Sequence, residues 1–256
     1  MGLDFTFKKY EELCNTILNN NYLVICMMDY FKNPKRDSFI ILRHDVDKNP
    51  ENALAMAQLE NTLGIKSTYY FRSLKEVFDP EIIKEISNLE HEIGYHYETL
   101  SEADGDYKAA INLFEQNLEK MRKIAKITTI SMHGSPLSKW NNIDLWKEYD
   151  FTKYGIIGEP YITINYDDVR YFSDTGRTWG NRGSVRDIVA NSKKYDINVK
   201  TSDELMELIV THKFKKIIIG AHPQRWSLKS SKWLKELVAQ NIKNVGKDLI
   251  LKRKRG

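Results

Sequence analysis

Three histidines and two aspartates stand where chemistry would need them. His96, His133 and His222 each finish a short run of apolar and β-prone residues (92–97, 127–133 and 217–222), and Asp45 and Asp47 finish another at 38–45. Residues two apart in an extended chain point to the same side, so the aspartates face the same way. Two carboxylates at close range repel each other unless a cation or a proton lies between them. Asp and His donors together suit zinc or another transition ion better than calcium. The competing reading of the aspartates is a turn or helix-capping pair ahead of Pro50. His91 and His212 read as structural. One precedes its strand, and the other ends a helix beside Lys213, where a cation suits the helix dipole.

The elements that must position these groups follow from periodicity. Tyr10, Leu13, Cys14 and Leu18 share one face of a helix over 6–18. Asn49 and Pro50 open a second helix as N-cap and first residue, and Gly64 closes it. A strand at 66–72, rich in Thr, Tyr and Phe, leads to a helix at 80–89. A long helix at 106–124 precedes the strand at 127–133. Strands are expected at 161–165 and 169–173, and helices at 202–212 and 230–242. Strand alternating with helix is the signature of parallel pairing with right-handed crossovers. A single α/β barrel and a doubly wound sheet both produce it, and in both the chemistry collects at the C-terminal ends of the strands.

Residues 42–47 (Leu-Arg-His-Asp-Val-Asp), 92–96 (Glu-Ile-Gly-Tyr-His) and 218–223 (Ile-Ile-Gly-Ala-His-Pro) resemble the polysaccharide deacetylases. These are metal-dependent carbohydrate esterases on a distorted, seven-stranded (β/α) barrel. The closest likeness is to a divergent branch whose first motif reads His-Asp-Val-Asp. The resemblance implies Asp45 as catalytic base and Asp47 and His96 as ligands of one divalent metal ion, Zn2+ first, with Co2+, Ni2+ or Mn2+ as alternatives. The family supplies a second histidine four residues after the first. Here that position is Leu100, so His133, ending the next strand, becomes the third ligand, with Glu98 as runner-up. Residues 173–179 resemble the family's Asp-and-Trp motif at altered spacing. His222 is then the acid that protonates the departing amine, oriented by Asp174. Arg72 and Arg177 hold a carboxylate or the substrate, and Trp179 and Trp226 line the mouth. The implied activity is metal-assisted removal of an acetyl or other acyl group from an N-acylated amino sugar or a related amide. Two rivals remain: an Asp-x-Asp nucleotide-sugar glycosyltransferase and a non-catalytic sugar-binding relative. An Asp-x-Asp phosphatase fits less well, because Lys48-Asn49-Pro50 follows the second aspartate instead of a small pair.

Composition narrows the field further. The chain has 256 residues with 13 Gly and 6 Pro, too few for a Gly/Pro-rich disordered chain. One barrel over 1–250 with a basic tail at 251–256 is expected. Lys252, Arg253, Lys254 and Arg255 alone account for the formal net charge of +4. No basic stripe is left for nucleic acid. Cys14 and Cys26 supply no disulfide framework and read as buried thiols of a reducing compartment. No run reaches the length of a membrane span or a signal peptide. The expected setting is cytoplasmic, with a small carbohydrate intermediate as substrate.

Overall fold

The computed structural model describes residues 3–180 and 199–227. The helix expected at 230–242 and the basic tail lie outside the described residues. The strand that carries the aspartates is β2 (Phe39–Val46), buried at every position. Burial on both faces marks a central strand of a covered parallel sheet. On one side β2 pairs with β7 (Lys216–Ala221), and β6 (Arg170–Ser173) lies beyond. On the other it pairs with the two-residue β1 (Leu23–Val24) and with β3 (Thr68–Phe71), followed by β4 (Glu92–Tyr97) and β5 (Ile130–Met132). Every pairing is parallel. The seven strands curl into a half-barrel flanked by helices, the α/β architecture anticipated from the alternation of elements.

Period-2 alternation separates two cores. Ile40, Leu42 and Val46 of β2 join the apolar cluster under the outer helices. Phe39 and Ile41 join Met27, Tyr70, Tyr171 and Ile218 in a second cluster inside the curl. Two glycines make room for its tyrosines: a Cβ on Gly94 would overlap the Tyr70 ring, and one on Gly220 would lie 2.7 Å from the Tyr171 hydroxyl.

The outer helices are α1 (Phe7–Asn19), α3 (Pro50–Thr62), α4 (Pro80–Asn88), α6 (Tyr107–Arg122) and α9 (Ser202–Val210). Thr6, Asp79, Asp106 and Thr201 cap four of them by accepting first-turn backbone N–H bonds, each worth about 1 kcal/mol. Asn49 does precede α3, but in the left-handed region (φ 51°) and with no side-chain cap. Asn tolerates that region better than most residues. The short helices α2 (Met27–Lys32), α5 (Thr99–Glu102) and α7 (Leu145–Glu148) had no periodic signal. The strand expected at 161–165 is instead the turn of helix α8 (Pro160–Thr163). Its β-prone residues are overruled by Glu159, whose carboxylate accepts from the N–H groups of Tyr161 (2.7 Å) and Ile162 (3.2 Å). Both cysteines are buried and free, and no described helix is long and apolar enough to cross a membrane.

Behind β2, away from the mouth, Glu60 of α3 is fully buried. It accepts from Tyr69 Oη (2.6 Å), Ser67 Oγ (2.5 Å), His44 Nε2 (2.7 Å) and Tyr10 Oη. Burial would raise its carboxyl, but His44, His91 and Ser67 hold it down at about 2. The folded value lies below the unfolded one, so this stabilisation is present above about pH 4.5 and is lost as pH falls toward 2. Stability should decline across that window by on the order of 3 kcal/mol from this group alone. Denaturant titrations of Glu60→Gln should show a flatter decline there.

Candidate active site

The C-terminal ends of β2, β4, β5 and β7 meet at one mouth, and the polar side chains there converge on Asp47. Its Oδ1 lies 3.4 Å from His96 Nε2 and 3.7 Å from His133 Nε2. Its Oδ2 lies 3.8 Å from His222 Nε2 and accepts a hydrogen bond from Gln224 Nε2 at 3.1 Å. Burial would push the Asp47 carboxyl up, but the hydrogen-bonding reach of His96 and the fields of His222, His133 and His96 outweigh it and hold the group well below the usual range. Oδ1 is buried with no hydrogen-bond partner, unusual for a carboxylate oxygen and a sign that something else satisfies it.

The imidazoles are fixed from behind. His96 Nδ1 donates to the Ser131 carbonyl (2.9 Å), which commits that nitrogen and leaves Nε2 as the one that faces Asp47. His133 Nδ1 donates to Glu98 Oε2 (2.7 Å) with the same result. His222 Nδ1 donates to Asp174 Oδ1 (2.6 Å). Asp174 also accepts from Arg225 Nη1 (2.6 Å), the His222 backbone N–H (2.9 Å) and Trp226 Nε1 (3.0 Å). Burial would raise the Asp174 carboxyl, but Arg225 and His222 bring it down to about 2. The turn that carries His222, Gln224 and Arg225 is pinned by Asn52 of α3, which donates to the carbonyls of Pro223 (3.1 Å) and Trp226 (3.0 Å).

Asp45 has a different environment from Asp47. Arg43 grips it through Nε to Oδ1 (2.9 Å) and Nη2 to Oδ2 (2.6 Å), and also donates to Ser131 Oγ (2.7 Å). The guanidinium carbon lies 5.5, 5.2 and 5.9 Å from the ring centroids of Tyr70, Tyr161 and Tyr171, close enough for cation–π attraction. Asp45 Oδ2 is 3.9 Å from His96 Nε2, so the two aspartates flank one imidazole, one facing a guanidinium and the other facing three histidines.

The chain matches no family model and no curated protein, so the reading of this site rests on its own residues.

Asp45, Asp47, His96, His133, His222 and Asp174 come together at this mouth. Three residues, Trp179, Trp226 and Arg177, sit elsewhere. Trp179 and Trp226 are 1% and 0% exposed and pack against Phe5 in the core, Trp179 stacked on its ring and Trp226 edge-on to it. An indole with no open face cannot line a mouth, and this corrects the expected sugar-binding wall. Arg177 braces the turn from beneath, donating to the Arg225 carbonyl (3.1 Å) and covering the Phe5 ring. Its place is under the turn that carries His222. Arg72 does hold a carboxylate, that of Glu98 (Nε to Oε1, 2.7 Å), and reaches the Asp47 carbonyl (3.4 Å). Arg43, Gln224 and Arg225 were missed. Arg43 was within reach of sequence reasoning, because it stands two residues before Asp45 and the alternation that pairs the aspartates includes it.

Among the described residues no three or more His, Cys, Asp or Glu side chains form a closed group able to hold a metal ion as they stand. The donor set still fits one chemically. It offers one orphaned carboxylate oxygen and two imidazoles whose Nδ1 atoms are spent on acceptors. Bonds of about 2.0–2.2 Å at tetrahedral angles set ligand atoms about 3.4 Å apart. Asp47 and His96 have that spacing, and His133 is a few tenths of an ångström wider.

Proposed function

We propose that this chain is a metal-dependent deacetylase that removes an acyl group from an N-acylated amino sugar or a related small amide. The observation that carries the reading is Asp47: a half-buried carboxylate whose buried oxygen Oδ1 has no hydrogen-bond partner, faced by the Nε2 atoms of three histidines and flanked by a second, separately held aspartate. Asp47, His96 and His133 would hold the ion. Nitrogen and oxygen donors of this kind favour Zn2+ or a neighbouring transition ion over Mg2+ or Ca2+, which weighs against a nucleotide-sugar transferase. When bound, such an ion activates water near neutral pH and polarises the acyl oxygen.

The remaining steps belong to the chain's own groups. Asp45, oriented by the Arg43 fork, takes the proton from the attacking water. His222, whose Nδ1–H is held by Asp174, presents Nε2 toward the site and gives a proton to the departing nitrogen as the C–N bond breaks. The water oxygen ends in the carboxylic acid product and the nitrogen leaves as an amine.

The test is acetate release from a panel of N-acetylated amino sugars by protein loaded with zinc or cobalt. Release that a chelator abolishes and either metal restores would support the reading. Metal-loaded protein that releases no acetate across the panel, or turnover indifferent to chelation, would overturn it.

A further inference from the structure

The position where the resembled family keeps its second histidine holds Leu100, which is fully buried in the apolar core. No donor for a site at the mouth comes from it. Two residues earlier, where β4 gives way to α5, Glu98 turns toward β5. We propose that Glu98, clamped by Arg72, is the positioning residue that makes His133 a metal ligand, so that this chain takes its third donor from β5 instead of from the turn after β4. The proposal rests on the metal-centre reading above.

The geometry fills every hydrogen-bonding direction of the Glu98 carboxylate that the role needs. Oε2 accepts from His133 Nδ1 (2.7 Å) and from Ser135 Oγ (3.0 Å). Oε1 accepts from Arg72 Nε (2.7 Å) and from Arg72 Nη2. A carboxylate so occupied has no oxygen left to offer a cation, and this separates Glu98 from the ligands. It is only 8% exposed, and the Arg72 charge compensates it there. His133 is held at its backbone as well: Asn142 Nδ2 donates to its carbonyl (2.8 Å), and Asn142 Oδ1 accepts from the Ser101 N–H (2.9 Å) at the start of α5. Ring and backbone are thus both fixed to the β4–α5 junction. With Nδ1–H committed, Nε2 is the ring nitrogen that faces Asp47 Oδ1 (3.7 Å). Carboxylates that bind a ligating histidine in this way orient the ring and raise its basicity.

Glutamine at this position faces a conflict. If its carbonyl stays on Arg72, its NH2 meets His133 Nδ1 and moves the ring proton to Nε2, the atom the metal needs bare. If its carbonyl serves His133, its NH2 opposes the Arg72 donors. Either arrangement weakens the site, and the loss passes through His133 alone.

The experiment is a double-mutant cycle read by zinc affinity, using competition against a chromophoric chelator on the full chain. Glu98→Gln should weaken zinc binding about 10–100-fold. His133→Ala should weaken it at least as much, and the double variant should bind no more weakly than His133→Ala. Glu98→Asp keeps the charge for Arg72 but withdraws the oxygen from His133. It should fall between wild type and Glu98→Gln, and it gives the same cycle if the glutamine variant does not fold. Unchanged affinity in both Glu98 variants would overturn the proposal, as would effects that multiply with His133→Ala, since Glu98 would then act as a ligand or as general scaffold. A wild-type chain that binds no zinc would overturn the metal centre and this inference together. Zinc binding with the expected coupling but no acetate release would leave the inference standing and sink only the deacetylase reading.

Discussion

Asp45→Asn should cut turnover by about 10³–10⁴, toward the upper limit for a single proton-transfer group, while the protein still binds one metal ion per chain. The two aspartates are chemically alike and two residues apart, so the contrast between them is set by neighbours. Asp47 faces the imidazoles of β4, β5 and β7, whereas Asp45 lies in the Arg43 fork and approaches one imidazole at 3.9 Å. An asparagine keeps one carbonyl oxygen for Arg43 but has no carboxylate to accept a proton. The same change leaves a buried guanidinium with an incomplete partner, and breaking a buried pair outright costs about 3–5 kcal/mol. Some fall in melting temperature is therefore expected beside the kinetic loss, and turnover must be compared well below that temperature. Metal content by elemental analysis decides the assignment. An Asp45→Asn protein that loses its metal and regains activity in excess zinc would mean that the two aspartates have exchanged roles.

Where the fold was readable, one physical signal dominated. Strands β2, β3, β4 and β7 are apolar runs ended by charged residues, Gly or Pro, and a parallel strand buried on both faces leaves that mark in a single sequence. The capped helices carry Thr or Asp just ahead of an amphipathic run. The short helices α2, α5, α7 and α8 had no such mark, because tertiary contacts decide them. Residues 160–163 show this most clearly. Tyr-Ile-Thr reads as strand until Glu159 is seen to occupy the N–H groups that a strand would have paired.

The site was legible to the extent that strand ends predict convergence. That rule brings Asp45, Asp47, His96, His133 and His222 to one mouth without any contact information. It does not reach residues that act through a turn, such as Gln224 and Arg225, since the direction of a side chain after a strand ends depends on how the turn is pinned, here by Asn52. Nor does it separate inside from outside for tryptophan. Trp179 and Trp226 follow polar, turn-forming residues that suggested an open wall, yet their indole N–H groups are taken by Ser202 and Asp174 and their rings by Phe5. A buried indole finds a partner for its single donor, and the partners available here lie beneath the mouth.

His222→Ala should lower turnover on an N-acetylated sugar by about 10²–10⁴, with a signature that distinguishes lost proton donation from lost structure. His222 is 177 residues from Asp45 in sequence, yet β7 pairs directly with β2, and His44 lies opposite Ala221. That register carries His222 to the level of the aspartates. Its Nε2 is 3.8 Å from Asp47 Oδ2 and its Nδ1 is held by Asp174, so the ring is aimed and its free nitrogen is the one at the site. An amine is a poor leaving group unless protonated, whereas an activated phenolate leaves unaided. The variant should therefore lose far less against an activated phenyl acetate than against the amide. It should also lose the alkaline limb of a bell-shaped pH profile, because that limb reports the acid. Asp174→Asn should reproduce part of the same pattern, since an amide can hold the ring in the wrong tautomer. Equal losses on both substrates, with the pH profile unchanged in shape, would show that His222 shapes the mouth and donates no proton.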